Sequence, residues 1–236
     1  VKLSCCFILV KLFQSAKRRF RMLHKEAVDN RLMVILKKLM SIHEIGNFSL
    51  VGGTALAFQF GHRKSEDIDL FCPPVEAIDL LKIESEIERI FPDSKSFSGS
   101  RISSAFYIED IKVDFVYYPY KNIRQVIKED EIRMFSLEDI AAMKIKTVGN
   151  RGLKKDFFDI NELLKHFSLE EMFTFFQEKY NHSDYGHYLR SLTYFEDAEK
   201  SAEPRILNHL TWEQVKANIQ KAALDFFSQK MKENNG

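Results

Sequence analysis

The sequence has few of the residues that would indicate a disulfide-stabilised or metal-clustered protein. Its 236 residues contain three cysteines, of which Cys5 and Cys6 are adjacent and Cys72 is distant, so no metal-ligand spacing occurs. The seven histidines show no clustered metal pattern either. Disulfide frameworks are typical of oxidising compartments. We therefore expect a protein of a reducing, cytoplasmic environment.

The sequence also lacks a long hydrophobic run and an excess of charge of either sign. The apolar stretch from Leu3 to Val10 is too short to span a bilayer, and no cleavage site follows it before a basic run. Lys and Arg number 35, and Asp and Glu 34, which argues against indiscriminate nucleic-acid binding by bulk charge. We expect no membrane association, and the 45% hydrophobic content suffices for a substantial core.

A glycine turn precedes a pair of acids in the first third of the chain. Gly52-Gly53-Thr54 could cradle a phosphate, because glycine lets the backbone approach closely and a helix N-terminus offers free N–H groups. The pattern predicts a strand, a short helix ending at Gly61, and a second strand, over residues 48–51, 54–60 and 67–71.

The two acids are Asp67 and Asp69, which lie on one face of the second strand because side chains alternate. Carboxylates so placed can converge on one Mg²⁺ or bridge two. A glycine pair alone is usually only a turn, and an Asp-x-Asp pair alone is usually a solvated strand face. Their combination in this order indicates a site for a metal-bound nucleotide triphosphate.

A third acid, Asp114, lies in the alternating run from Ile111 to Tyr117. The preceding run, Arg101 to Ile108, is also strand-like, and Glu109-Asp110 predicts a tight hairpin turn between them. We expect the Asp114 strand to neighbour the Asp69 strand and Asp114 to complete the metal site. The alternative is an exposed residue on an edge strand.

In this order and spacing, these elements resemble the nucleotidyltransferase fold of the DNA polymerase β superfamily. More narrowly, the chain resembles the AbiEii/AbiGii toxin family over about residues 48–165. The resemblance implies an α/β fold with a small mixed sheet flanked by helices, and transfer of a nucleoside monophosphate from an NTP with pyrophosphate leaving. It further implies two Mg²⁺ ions at Asp67, Asp69 and Asp114, activation of the acceptor hydroxyl by Asp114, and a toxin with a possible antitoxin partner. Four blocks carry it: Gly52–Ala57, His62–Phe71, Ser136–Lys144 and Lys154–Ile160.

The third block begins with a capping-box pattern at Ser136 and predicts a helix to about Val148. Lys144 falls within the apolar stripe of this helix and Lys146 opposite it. An inward lysine needs a partner, because an unpaired buried charge is costly. We expect Lys144 to stabilise phosphate charge; the alternative is a lysine that extends to solvent at a domain seam.

The fourth block places Asp156 within the apolar face of the next helix and Asp159 at its margin. An Asp in the first turn of a helix often serves only the helix dipole. The resemblance instead implies that Asp156 and Asp159 position Lys144 or the nucleotide and hold no metal.

The loop before the acid strand contains Arg63, Lys64 and Ser65, which could contact the β- and γ-phosphates. The alternative for Arg63 and Lys64 is simple solvation, and Ser65 could equally cap a helix.

We expect three regions: an N-terminal helical segment over 1–45, a sheet lobe with the metal and NTP site over 46–133, and a helical C-terminal lobe over 134–236. Residues 15–45 and 74–90 are predicted helical and 92–100 a polar loop. Ser168 and Thr211 begin two further capping-box patterns.

The sequence does not identify the acceptor of the nucleotide. Five bases and no acid between Lys144 and Lys155 could guide RNA such as tRNA, and a protein acceptor is equally compatible with the chemistry. Two alternatives stay open: a catalytically silent relative that binds a partner, and a transferase acting on a small molecule such as an antibiotic.

Overall fold

The fold is organised around a mixed β-sheet whose central strands carry the predicted acids. The computed structural model describes residues 23–74, 78–182 and 184–234. Their sheet has seven strands in the order β3-β4-β5-β2-β1-β7-β6. The strands are β1 (Ser49–Leu50), β2 (Ile68–Cys72), β3 (Lys95–Gly99), β4 (Ser103–Ile108), β5 (Ile111–Tyr117), β6 (Ile127–Glu129) and β7 (Ile132–Met134).

Strands β2 and β5 run parallel in the middle of the sheet, with Asp69 directly opposite Asp114. The hairpin that joins β4 to β5 turns at Glu109 and Asp110, both with positive φ, as a tight turn requires. The prediction that the Asp114 strand neighbours the Asp69 strand is therefore confirmed.

Helices flank the sheet and make up most of the chain after residue 136. The helices are α1 (Asn30–Ser41), α2 (Gly52–Phe60), α3 (Leu80–Ile90), α4 (Leu137–Asn150), α5 (Lys154–Leu163), α6 (Leu169–Tyr180), α7 (Gly186–Leu192), α8 (Glu196–Glu199) and α9 (Trp212–Asn234). None of the described helices is both long and apolar enough to cross a membrane. The expected α/β class is confirmed, whereas the boundaries at residues 45 and 133 stay predictions.

Local capping signals fix several helix ends as predicted. The Ser136 hydroxyl accepts the Asp139 N–H at the start of α4, and Ser168 forms a complete capping box with Glu171 at the start of α6. Gly61 ends α2 in the left-handed conformation, which glycine adopts without a steric penalty.

Three predictions of local structure differ from the fold. Helix α3 begins at Leu80 instead of near 74, because the Asp79 side chain caps it by accepting the Lys82 N–H; residues 75–77 lie outside the described residues. The polar loop predicted over 92–100 is wrong, because Lys95–Gly99 pairs with β4 as an edge strand that needs no apolar side chains. Within 15–45, helix α1 covers only 30–41 between two short 3-10 turns, and residues 15–22 lie outside the described residues.

The core lies between the sheet and the helices, and its centre is aromatic. Phe115 on β5 contacts Phe48 and Phe106 edge-to-face, at ring-centroid distances of 5.7 and 6.1 Å, and all three rings are buried. Cys72 follows in β2 as a buried free thiol, whose pKa burial raises to about 11. Parallel pairing from Ile68 to Cys72 holds β2 beside β5 and so places their acids next to one another.

Candidate active site

The glycine turn lies directly against one of the central acids. Gly52 has φ +68°, a conformation that disfavours other residues, and a Cβ added there would lie 2.9 Å from Asp69 Oδ2. Gly52 and Gly53 are the first two residues of α2, so the helix N-terminus and the acid strand meet at this point. The glycine turn and a carboxylate therefore share one small volume.

The second glycine makes room for a buried arginine. A Cβ at Gly53 would lie 2.0 Å from Arg63 Nη2, closer than any real contact allows. The guanidinium of Arg63 thus lies behind the turn and supports it from the protein interior. Any larger residue at position 53 has to displace it.

The three predicted carboxylates are brought together at the central strands: Asp69 and Asp114 lie opposite each other on β2 and β5, and Asp67 immediately precedes β2. Asp69 lies between Asp67 and Asp114, and burial raises its pKa to about 6, with the negative charges of Asp114 and Asp67 adding to the effect. Lys112 pairs with Asp114, and Lys155 Nζ lies 3.9 Å from Asp67 Oδ2. No ion pair to Asp69 occurs among the residues that the structure describes. Negative charge is therefore in excess at Asp69.

These carboxylates have the chemistry of a magnesium site, since Mg²⁺ prefers oxygen ligands and offsets crowded negative charge. Within the described ranges, no group of three His, Cys, Asp or Glu side chains is already arranged to hold a metal ion. Asp67 and Asp114 face lysines instead. The donor types fit the metal, and the metal assignment itself stays a prediction.

A cleft of about 390 Å³ opens between the sheet and the C-terminal helices. Its sheet side is formed by the glycine turn with Thr54, Ser65, Asp67 and Asp69, and its helical side by α4, the start of α5 and Tyr180. Asp114 neighbours Asp69 without belonging to the lining. The cationic residues that line the cleft are Arg63, Lys144, Lys146, Arg151 and Lys155.

Lys144, which lines the cleft, forms a buried ionic cluster with the two acids of the fourth motif. Lys144 Nζ lies 2.9 Å from Asp156 Oδ1 and 2.6 Å from Asp159 Oδ2, and neither acid has exposed side-chain surface. Burial disfavours the lysine charge, but Asp159 and Asp156 raise its pKa above the ordinary value. The inward lysine thus has the partners that its position on the helix requires.

Asp159 is the centre of this cluster. Its carboxylate accepts hydrogen bonds from Arg63 Nε at 2.7 Å and Nη2 at 2.8 Å, and contacts His62 Nε2 at 2.7 Å. Burial alone would raise the pKa of Asp159, but Arg63 and Lys144 hold it well below its usual range. Asp159 therefore joins α5 to α4 and to the loop that follows α2.

The loop residues expected to contact phosphate are placed in three different ways. Arg63 is buried and bonds Asp159 and the Lys64 carbonyl, so its guanidinium is largely engaged within the protein. The Lys64 ammonium donates to the Glu26 carbonyl, away from the cleft lining. Ser65 lines the cleft and hydrogen-bonds the Thr54 hydroxyl, which in turn donates to the Asp67 carbonyl.

Sequence reasoning missed the lysines that neutralise the acids. Lys112 could have been found, because it precedes Asp114 by two positions on an alternating strand and so shares its face. Lys155 was recognised only as part of a basic run. His62 carries no motif of its own, and its contact with Asp159 was not predicted.

The fold and this arrangement of glycine turn, acid strands and helical wall define the nucleotidyltransferase class. The sequence matches, over residues 35–232, the family described as "Nucleotidyl transferase AbiEii toxin, Type IV TA system". The match covers most of the chain, which therefore belongs to the AbiEii family and is a nucleotidyltransferase. The resemblance drawn from the motifs is confirmed.

Two relatives show the extent of the likeness. An uncharacterised protein of Aquifex aeolicus (strain VF5) is 33% identical over 202 residues, which make up 84% of this chain and 93% of that protein. The crystal structure of JHP933 from Helicobacter pylori covers 86% of this chain and 94% of its own, at 18% identity and a TM-score of 0.51. At that identity the second likeness concerns the fold alone.

The raised pKa of Asp69 predicts how the Asp69→Asn variant responds to pH. The folded protein keeps this proton up to about pH 6, whereas the ordinary pKa of the carboxyl is 3.8, so stability falls as pH rises between these values and stays reduced above them. Asparagine cannot ionise. In urea unfolding without divalent cations, the variant should gain stability relative to the wild type as pH rises from 4 to 7. A difference in stability that does not change with pH would contradict the raised pKa of Asp69.

The buried cluster predicts a large stability loss for Asp159→Asn. The substitution leaves Lys144 and Arg63 without their shared counter-ion, and breaking a buried pair costs about 3–5 kcal/mol. The matched control is Glu203→Gln, since Glu203 pairs with Lys154 at 2.7 Å but is 63% exposed; it should cost less than about 1 kcal/mol. The free energy of unfolding measures both, and equal losses would refute the cluster's structural role.

Proposed function

We propose that this enzyme transfers a nucleoside monophosphate from an NTP to a hydroxyl group of an RNA acceptor, with pyrophosphate leaving, as the toxin of a toxin–antitoxin system. The observation that carries the proposal is the contact between the Gly52 turn and the Asp69 carboxylate. A triphosphate on the turn would have its α-phosphorus beside the acids. Phosphoryl transfer depends mainly on such positioning and on charge stabilisation.

The triphosphate would lie on the free N–H groups at the start of α2, at Gly52 and Gly53. The Ser65 hydroxyl lines the same part of the cleft, and Thr54 supports it from behind. Lys144 would stabilise the charge that develops on the transferred phosphoryl group and on the leaving pyrophosphate. Asp156 and Asp159 would act by holding the lysine in place.

Asp67, Asp69 and Asp114 would hold Mg²⁺, which supplies positive charge to the phosphates and offsets the repulsion among the carboxylates. The surroundings of Asp69 support this assignment: burial, and then the neighbouring charges of Asp114 and Asp67, raise its pKa, and a cation would offset both effects. Binding would exchange the Lys112 and Lys155 contacts of Asp114 and Asp67 for the cation.

Asp114 would accept the proton of the acceptor hydroxyl. The hydroxyl oxygen then forms the new bond to the α-phosphorus while the bond to the pyrophosphate oxygen breaks. The position of Asp114 supports this role, since it is opposite Asp69 and outside the cleft lining, where an acceptor could approach.

The cleft rim supports a polyanionic acceptor. Arg151 and Lys155 line the cleft with 57% and 40% of their side-chain surface exposed, and phosphate backbones bind such residues without regard to sequence. The toxin role, and with it a cognate antitoxin, is supported by the description of the matched family.

The proposal predicts that Asp69→Asn abolishes transfer without unfolding the protein. Purified protein and Mg²⁺ are incubated with each α-³²P-labelled NTP and total RNA, beside the variant. Label should enter RNA with the wild type and fall by at least about 100-fold with Asp69→Asn, since a group central to the reaction is removed. Asp110→Asn, on the exposed β4–β5 turn, is the matched control and should keep full activity.

Transfer activity retained in Asp69→Asn would contradict the assignment of Mg²⁺ to these carboxylates. Label entering protein or a small molecule instead of RNA would replace the proposed acceptor while keeping the reaction. No label in any fraction, with a folded wild type, would reject nucleotide transfer under these conditions. Expression in a bacterial host tests the toxin role, because growth arrest should require Asp69.

A further inference from the structure

One side of the cleft carries half-buried aromatic rings that the proposed chemistry does not use: Phe71, Tyr118 and Tyr180 line it, and Tyr120 packs against the last two without belonging to the lining. Phe71 follows Asp69 on the same face of β2, and its ring centroid lies 5.1 Å from that of Tyr118. Tyr120 lies 5.2 Å from Tyr118 and 4.7 Å from Tyr180. The row therefore begins beside the acids and leads away from the glycine turn towards α6.

A lysine lies at the far end of this row. Lys146 Nζ is 4.4 Å from the centre of the Tyr120 ring, 4.2 Å from that of Tyr180, and 3.2 Å from the Tyr120 hydroxyl. Ring faces attract a cation without neutralising it. An ammonium has three donors, and the Tyr120 hydroxyl takes one.

Lys146 differs from the other cations of the cleft in its partners. Arg63, Lys144, Arg151 and Lys155 each have a carboxylate within 4.0 Å. Lys146 has no such carboxylate among the residues that the structure describes. A half-buried ammonium that lines a cleft with free donors is ready to bind an acceptor atom of a ligand.

We propose that this aromatic wall, defined by Phe71, Tyr118 and Tyr180, binds the base of the NTP, and that Lys146, held by Tyr120, selects bases with an exocyclic carbonyl group. This inference rests on the proposed function, because it assigns the second half of the same nucleotide. Aromatic faces stack on any base, so the wall alone gives affinity without selectivity among bases. Selectivity comes from Lys146.

The lysine can only donate, and therefore favours uracil, cytosine and guanine, whose carbonyl oxygens are strong acceptors. Adenine has no carbonyl and carries an amino group, itself a donor, where guanine has its carbonyl. The proposed triphosphate site uses the glycine turn and Lys144, which leaves Lys146 available for the base.

A pair of nucleotides isolates this contact. ATP and ITP have the same ring nitrogens N3 and N7, and differ in the amino or carbonyl group at C6 and the proton on N1. With Mg²⁺ and no acceptor, calorimetry should show ITP binding at least about tenfold more tightly than ATP to the wild type, as expected for a charge-assisted hydrogen bond. In Lys146→Met, which keeps the chain length, the two affinities should agree within about twofold.

Tyr120→Phe is the second variant, because it keeps the ring face and removes only the hydroxyl that contacts Lys146. It should retain ATP affinity and lose part of the preference for ITP. Equal affinities of ATP and ITP for the wild type would overturn the inference whether or not Lys146→Met folds. Equal weakening of both nucleotides in Lys146→Met would also overturn it and assign the lysine to a phosphate. Absence of binding by any NTP would reject the nucleotide site itself, whereas transfer without base preference would reject only the inference.

Discussion

The site depends on one buried carboxylate, that of Asp159. It holds Lys144 from α4 and Arg63 from the loop after α2, while lying itself on α5. Arg63 occupies the space behind Gly53, so the same interaction that neutralises the lysine also fixes the glycine turn. Charges taken out of water need such close pairing, since either partner alone would be strongly destabilising. The positions of Lys144 and of the glycine turn are therefore determined by contacts in the protein interior.

The acid side of the cleft has the opposite electrostatic balance. Asp159 is surrounded by cations that hold its pKa well below the usual range, whereas burial, with the charges of two neighbouring acids, raises the pKa of Asp69 to about 6. Stability alone does not favour an arrangement like that of Asp69, and the proposed cation that binds with the nucleotide would offset it. On this proposal, Asp159 maintains the fold and Asp69 acts on a ligand.

Local sequence signals predicted the parts of the site that depend on short-range physics. Alternation placed Asp67, Asp69 and Asp114 on their strands, and helical periodicity turned Lys144 inward. The pairing of Asp159 with Arg63 joins residues 96 positions apart, which no periodicity encodes, so the arginine was expected at the phosphates instead. Lys146 lies opposite the apolar stripe of its helix, so periodicity gives no reason to place it at a site, but α6 brings Tyr180 beside it. The edge strand β3 was missed because its pairing depends on the backbone and not on apolar side chains.

The Asp159 cluster and the acid strands together form one nucleotide site in the mechanism that we propose. A crystal structure with Mg²⁺ and a non-hydrolysable NTP is the decisive test. We expect phosphate oxygens within about 3 Å of the Gly52 or Gly53 N–H and of Lys144 Nζ, which keeps its contact with Asp159. The cation should lie between the phosphates and the carboxylates of Asp67 and Asp69. A nucleotide bound elsewhere, or one whose phosphates avoid the glycine turn, would contradict the account.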